Sequence, residues 1–468
     1  MTFLRRNGFI IVLIAATLTV SGCATVKRID FSRKSNAGPA EVASEGKRIA
    51  INPPDETVEP AEGLKGADFF LPDPKPVSEW ALPGGTAEQS IEHVDAGNGL
   101  TIVWRQRFGR KSGNGGYITA PPVAAKGKIY VMDAEATVSA HDAKTGAEIW
   151  KVDLRPKSKS DREGFGGGLA LADGKLTVSS GYRFVAQLNA DTGTLIWRTN
   201  TEEPIHGAPM VAGGRIFVVA IDNTLLTFDA ATGAVGWTYQ ALSESARILA
   251  ASSPAVSGDT VVATFGSGEV VALRTANGND LWNEALSKAS RTNALSEIRD
   301  IPGRPVIYQG DVFAISHSGL LAATDLRTGQ PRWTLPITGI TTPWPVGDVV
   351  YVVDKPGKVY CISRETGQIY WVRDLNDGRV KKTGRWNFTA KMGRNARKNT
   401  ANPLWSSPIL ANGRVITASD TGELKALNAK TGVVEKTLQL GQAVLLGPIA
   451  LNGTLYIATD EAQLIALR

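Results

Sequence analysis

Short runs of apolar or alternating apolar and polar residues recur along most of this chain, among them Val138-Ser139-Ala140-His141, Val270-Val271-Ala272-Leu273 and Leu424-Lys425-Ala426-Leu427. Each is bounded by turn residues, which is the pattern of strands buried on at least one face. A fixed phrase follows the runs: Asp-Ala-Lys-Thr-Gly at 142–146, Asn-Ala-Asp-Thr-Gly at 189–193 and Asp-Ala-Ala-Thr-Gly at 229–233. Looser copies end on Gly278, Gly329, Gly367 and Gly432. In six of the seven copies a Trp follows four residues after the Gly, at Trp150, Trp197, Trp237, Trp282, Trp333 and Trp371, while Lys436 takes that place in the last. Self-similarity at a fixed spacing predicts an array of small β units.

The turn chemistry of each unit is local. Asp or Asn opens a type I turn by capping its own backbone, and the Gly supplies the left-handed residue of a G1 bulge. Upstream, a Pro is followed by a Gly and a β-branched run, as in Pro122/Gly127/Ile129-Tyr130-Val131 and Pro448/Gly453/Leu455-Tyr456-Ile457. The unit therefore reads as four strands, the blade of an all-β propeller. Seven turns are complete, and the two ends supply an eighth blade. Gln463-Leu464-Ile465-Ala466-Leu467-Arg468 lacks a strand after it, and Leu100-Thr101-Ile102-Val103-Trp104 is a last strand without its blade. Pairing the two closes an eight-bladed β-propeller over 97–468 with no open sheet edge. A Trp recurring once per blade is expected to pack between neighbouring sheets, with its indole NH finding a partner.

The N-terminal end has a different character. Residues 1–22 read as a signal peptide, with Arg5 and Arg6 before an apolar stretch from Phe9 to Val20. The stretch is too short for a convincing spanning helix. Val20-Ser21-Gly22-Cys23 resembles the cleavage box of bacterial lipoproteins, which makes Cys23 the lipid-attachment residue. That resemblance, with Ala24 in place of the Asp linked to inner-membrane retention, implies an anchor at the periplasmic face of the outer membrane. Residues 23–96 are rich in Pro and read as a mostly disordered tether. Trp80 within it either docks on the propeller as a clasp or is one more exposed linker residue; the sequence leaves both open.

Charge and cysteine content narrow the function. Of 51 Lys and Arg, Arg5 and Arg6 leave with the signal peptide, so 49 face 45 Asp and Glu, a balance too mild for nucleic acid. With Cys23 lipidated, Cys361 stands alone and is expected to be a buried inert thiol. His93, His141, His206 and His317 fall in different units, which gives no metal spacing. Residues 374–404 hold eight basic side chains with Trp386 and Phe388 among them, a solvated insertion or a surface for anionic headgroups or an acidic partner.

The repeat Ala-X-Thr-Gly-X-X-X-Trp resembles the unit of pyrroloquinoline quinone propellers over nearly all of 97–468. Their dehydrogenases carry an adjacent Cys-Cys pair, and this chain has none. The repeat is thus a fold signal, and function has to come from sites. Lipobox, tether and eight blades in this order resemble the BamB family of outer-membrane assembly lipoproteins. The resemblance implies a non-catalytic scaffold without cofactor, bound to the POTRA domains of BamA and other assembly-machinery subunits and assisting unfolded outer-membrane proteins. In that family, neighbouring inter-blade loops offer an Arg and acidic residues to the partner. The first corresponds to 242–249, where Arg247, followed by Leu249, matches the family's Arg although Glu244-Ser245-Ala246 replaces its Leu-X-Leu. The second corresponds to 299–305, where Asp300, beside Arg299, matches the first acidic position and Pro302 stands in place of a second. Two other readings remain, a periplasmic quinoprotein dehydrogenase and a generic envelope-binding propeller.

Overall fold

The computed structural model describes residues 58–113, 118–156, 164–243, 252–286, 299–378 and 402–468. Eight antiparallel sheets form the expected ring, seven of four strands and one of five. Blade 1 comprises Val123–Ala125, Lys128–Met132, Thr137–Asp142 and Glu148–Asp153. Blades 2 to 7 repeat this order and end on the strands Leu195–Asn200, Val235–Gln240, Asp280–Ala285, Pro331–Leu335, Ile369–Asp374 and Val434–Gln439. Blade 8 joins Ile449–Leu451, Thr454–Ala458 and Gln463–Leu467 to Ile102–Arg107, as the two orphan strand patterns predict. Thr101 and Arg468 exchange backbone hydrogen bonds of 2.6 and 2.9 Å and seal this seam.

Within a blade the two middle strands carry the core. Val349–Val353 of blade 6 is buried at every position, whereas Val235–Gln240, the outermost strand of blade 3, is exposed except at the half-buried Trp237 and Tyr239. The difference follows from position, because a middle strand is covered by sheets on both faces.

The Thr-Gly turns form as their chemistry dictates. Asp142 Oδ1 accepts from the backbone N–H of Thr145 at 2.8 Å and from the Thr145 hydroxyl at 2.8 Å. The register then slips by one residue in the strand that follows, the mark of a bulge. Each Trp lies against the turn of the next blade, where its indole face meets the Gly. At Gly432 φ is +66°, and a Cβ would stand 2.5 Å from Trp371 Cε3. The same contact joins Trp104 to Gly146, Trp150 to Gly193, Trp197 to Gly233, Trp237 to Gly278, Trp282 to Gly329 and Trp333 to Gly367. Indole NH groups donate to carbonyls of those turns, as from Trp282 to Leu326 at 2.7 Å and from Trp333 to Arg364 at 2.8 Å. Lys436, the exception, faces the one blade without such a turn, and its Nζ donates to Gly99 O at 2.6 Å beside the seam.

The described part of the segment read as a tether is built onto the ring. Residues 75–97 pass the inner strands in blade order. Asn452 N donates to Val77 O in blade 8, Trp80 pairs with Ala124 in blade 1, and Leu171 N donates to Ala81 O in blade 2. Val256 N and Ile307 N donate to Ala87 O and Glu88 O in blades 4 and 5, and Trp344 Nε1 to Glu92 O in blade 6. Val94 N then donates to Leu410 O in blade 7, and Gly97 N to Gly453 O in blade 8. The innermost strands would otherwise present unpaired edges to the axis, and this strap pairs with backbone groups of blades 1, 2, 4, 5, 7 and 8. Trp80 is thus a clasp, 2 % exposed and stacked near Trp344 at 6.5 Å between centroids. The packed domain begins by Val58 and not at 97, because extended backbone pairing needs no side-chain periodicity to hold it.

Two substitutions test the indole contact. Trp371→Ala removes a large, nearly buried side chain and is expected to cost about 3 kcal/mol or more. Gly432→Ala places a Cβ against that ring and strains a left-handed residue, at about 1–3 kcal/mol. Urea midpoints of both single variants and of the double variant are expected to be non-additive, since the second change no longer meets an indole.

Candidate partner-binding face and axial cavity

Described ends of the connections from the last strand of one blade to the first of the next gather around the axial cavity, among them Thr119, Phe165, Ser253, Arg304, Thr342 and Ser407. The two connections expected to meet a partner, 241–254 and 286–305, lie side by side here. Arg247 and Leu249 fall outside the described residues, as does Cys23. Their flanks are firmly held. Leu242 N donates to Glu269 Oε2 at 2.9 Å and Leu242 O accepts from Asn223 Nδ2 at 2.6 Å. The Leu242 side chain itself is exposed. At the far ends, Ser252 Oγ donates to Gly303 O at 3.1 Å and joins the two connections to each other.

Glu269 is the centre of the first anchor. Ser267 Oγ donates to its Oε2 at 2.7 Å and Asn283 Nδ2 to its Oε1 at 2.9 Å. Burial pushes this carboxyl up, but the donors from Asn283, Ser267 and Leu242 outweigh it and hold the pKa below its ordinary value. Nothing in the sequence set this Glu apart from a solvated one, because its partners come from three different strands and connections.

Arg299 lies at the surface, where the resemblance expected a contact. Asp300 does not: it is 2 % exposed and engaged within the protein, and its carbonyl accepts from His317 N at 2.9 Å. The carboxylate that the sequence reading placed on the rim thus lies within the protein. Its connection dips toward the axis at this point, where Ile301 N reaches Phe265 O at 3.4 Å.

The ring encloses an axial cavity of about 390 Å³. Trp80, Pro83 and Gln89 of the strap form its floor, and the inter-blade connections form its walls. Those walls are mainly apolar, with Ile118, Phe165, Ile340, Trp344, Leu445 and Ile449 among them. Arg304 lines the cavity too. Part of its side chain is open to that space, yet protein surrounds it on all sides, and this desolvation lowers its pKa to about 10. Among the described lining residues there is no carboxylate.

The remaining candidates separate. Among the described residues no group of His, Cys, Asp and Glu is close enough to hold a metal. His141 hydrogen-bonds Gly146 O and Ser139, His93 joins the strap to Gly413, and His206 alone lines the cavity. Cys361 is buried, and desolvation raises its thiol pKa well above the ordinary value, as suits an inert side chain. Most of the basic insertion, 379–401 with Trp386 and Phe388, lies outside the described residues.

A depressed carboxyl pKa stabilises the fold above its unfolded-state value and ceases to do so as pH falls through the folded value. Glu269→Gln is accordingly expected to lower stability by about 1.5–3 kcal/mol at neutral pH. The gap between the urea midpoints of variant and wild type is expected to shrink once the pH is well below 4.5, the ordinary value for this carboxyl.

Comparison with known proteins agrees with this architecture. The family described as "Outer membrane protein assembly factor BamB" matches residues 87–164 and 134–373. A relative of that description from Moranella endobia is 23 % identical over 370 residues, covering 78 % of this chain and 89 % of its own length. The crystal structure of BamB from Moraxella catarrhalis superposes with a TM-score of 0.65 at 18 % identity, over 78 % of this chain and 99 % of that one. A quinohemoprotein alcohol dehydrogenase from Pseudomonas putida superposes with a TM-score of 0.62 at 13 % identity, over 83 % of this chain and 80 % of that one. At such identities the structural likenesses speak for the propeller alone. The family match spans more than half of the sequence, and the chain belongs to the outer membrane protein assembly factor BamB family.

Proposed function

We propose that this chain is a non-catalytic scaffold lipoprotein of the outer-membrane β-barrel assembly machinery. Lipid on Cys23 holds it at the periplasmic face of the outer membrane, and the propeller docks on the POTRA domains of BamA while unfolded outer-membrane proteins are inserted. The observation that carries this reading is membership of a family described as an assembly factor. Two features of the molecule support it. The described ends of the neighbouring connections 241–254 and 286–305 are pinned at Leu242 and tied together at Ser252 and Gly303, which fixes where the two connections leave the ring. The described walls of the axial cavity offer no carboxylate to hold a cation beside a quinone, and the chain lacks the Cys-Cys pair of the dehydrogenases.

In this reading Arg247, Leu249 and Arg299 meet the partner, and Asp300 keeps the second connection in shape. Surface charges at a docking face steer encounter and fix register. Reversing both, as Arg247→Glu with Arg299→Glu, is expected to reduce BamA captured from solubilised outer membranes by about tenfold. The purified variant should still unfold in one cooperative urea transition, which separates lost docking from lost folding. Undiminished capture would remove this face from the proposal.

The anchor has its own test. Cys23→Ala is expected to abolish incorporation of radiolabelled palmitate and to move the protein from the membrane to the soluble periplasmic fraction.

A further inference from the structure

Three residues that line the axial cavity carry polar atoms that no described protein group satisfies. Arg304 Nε, Gln89 Oε1 and Thr119 Oγ1 are all buried without a partner, and all three residues line this one space. A buried donor or acceptor left unmatched is costly, and a guanidinium with no counter-ion more so. Arg304 takes part in no ion pair among the described residues, while its backbone N–H is fixed to Thr342 Oγ1 at 3.2 Å. Thr342 N in turn donates to Ser407 Oγ at 2.9 Å, so the Arg stands on a braced section of wall that spans three blades. Gly303, just before it, has no room for a side chain, since a Cβ would lie 2.2 Å from Thr341 O. The section cannot readily swing the Arg out to solvent.

The rest of the described lining is largely apolar and aromatic. Trp80 and Trp344 lie nearly parallel, with an interplanar angle of 23°, and both face the cavity. Such a site, with one planar two-pronged donor in an apolar and aromatic enclosure, matches a ligand with one carboxylate on an apolar or aromatic body. A phosphate or a dicarboxylate fits less well, because each brings more charge than one guanidinium can match.

We infer that the axial cavity is a binding site for a monocarboxylate with an aromatic or apolar body, its carboxylate paired with the Arg304 guanidinium and its body against Trp80 and Trp344. Two sources share this chemistry, a free small acid and the terminal carboxylate of a peptide ending in an aromatic residue. The ligand enters from the face of the inter-blade connections, because the strap closes the other end. Arg304 remains protonated at neutral pH, so the pairing needs no proton transfer. This site is separate from the docking role proposed above, and its test does not involve BamA.

Titration calorimetry on the purified full-length protein reads the site directly. The probes are 3-phenylpropanoate, its neutral amide 3-phenylpropanamide, and a pentapeptide ending in phenylalanine with a free carboxylate. Binding of either carboxylate with no binding of the amide supports the site, and the tighter of the two identifies the source. Arg304→Gln is expected to weaken the bound carboxylate by at least tenfold, beyond the range of surface effects. Ile340→Trp, which keeps the Arg and fills the cavity, should weaken it as well and covers the case in which Arg304→Gln fails to fold. Absence of binding at millimolar probe, equal binding of acid and amide, or affinity unchanged in a folded variant would each overturn the assignment. A counter-charge supplied by the chain itself, or by water alone, would appear as the first of these outcomes.

Discussion

The contact of an indole face with a glycine turn governs this molecule. A sheet edge-on to the axis has little to say about where its neighbour lies, and the Trp supplies that information. Its ring reaches across to the next blade and rests where only a glycine leaves room, and in most blades its NH donates to a carbonyl of the same turn. Repeated around the circle, the contact fixes spacing and tilt between blades more sharply than apolar packing could. Blade 7 shows the rule by its exception. The neighbouring blade 8 has chain ends in place of a turn, and there the sequence replaces Trp by Lys436, whose ammonium reaches a backbone carbonyl.

The strap solves a second problem. A ring of blades leaves eight short inner strands facing a common axis, and their outward hydrogen-bonding groups need partners. Residues 75–97 supply partners at six of them, giving carbonyls to blades 2, 4 and 5 and pairing with blades 1, 7 and 8. This circuit converts an open tube into a cup. The inter-blade connections on the other rim therefore surround an enclosed space, and the anchors at Leu242 and Gly303 give that rim fixed points.

How much of this was readable in the sequence depended on the range over which each signal acts. The Asp-to-Thr capping bond spans three residues and the Trp offset is constant, so blades, turns and the closing strand were legible from local spacing alone. The strap was not. Its pairing uses backbone groups, and the proline-rich stretch that leads into it carries the same compositional mark as a tether. Trp80 was visible as an oddity, without a sign of what it would meet. Among the inter-blade connections the match of residue types placed Arg299 and Asp300 on one connection, yet depth is a tertiary property, and Asp300 lies buried while Arg299 is exposed. Arg304 and Glu269 escaped notice for the same reason: each is an ordinary charged residue until distant strands surround it.

The seam of blade 8 joins residues far apart along the chain, with Arg105 and Gln463 hydrogen-bonded at 3.3 Å across 358 positions. Bringing such distant points together costs about 5 kcal/mol of loop entropy for a flexible chain. Seven blades with their indole clamps shorten that search, since each blade that forms carries the two free strands closer around the circle. Formation of the ring is thereby ordered in time. The strand at Ile102–Arg107 is among the first made, has no partner until Gln463–Leu467 exists, and remains an open edge throughout the interval. A ring that has not yet closed therefore carries the open edge, prone to pairing with another chain, that the finished circle removes.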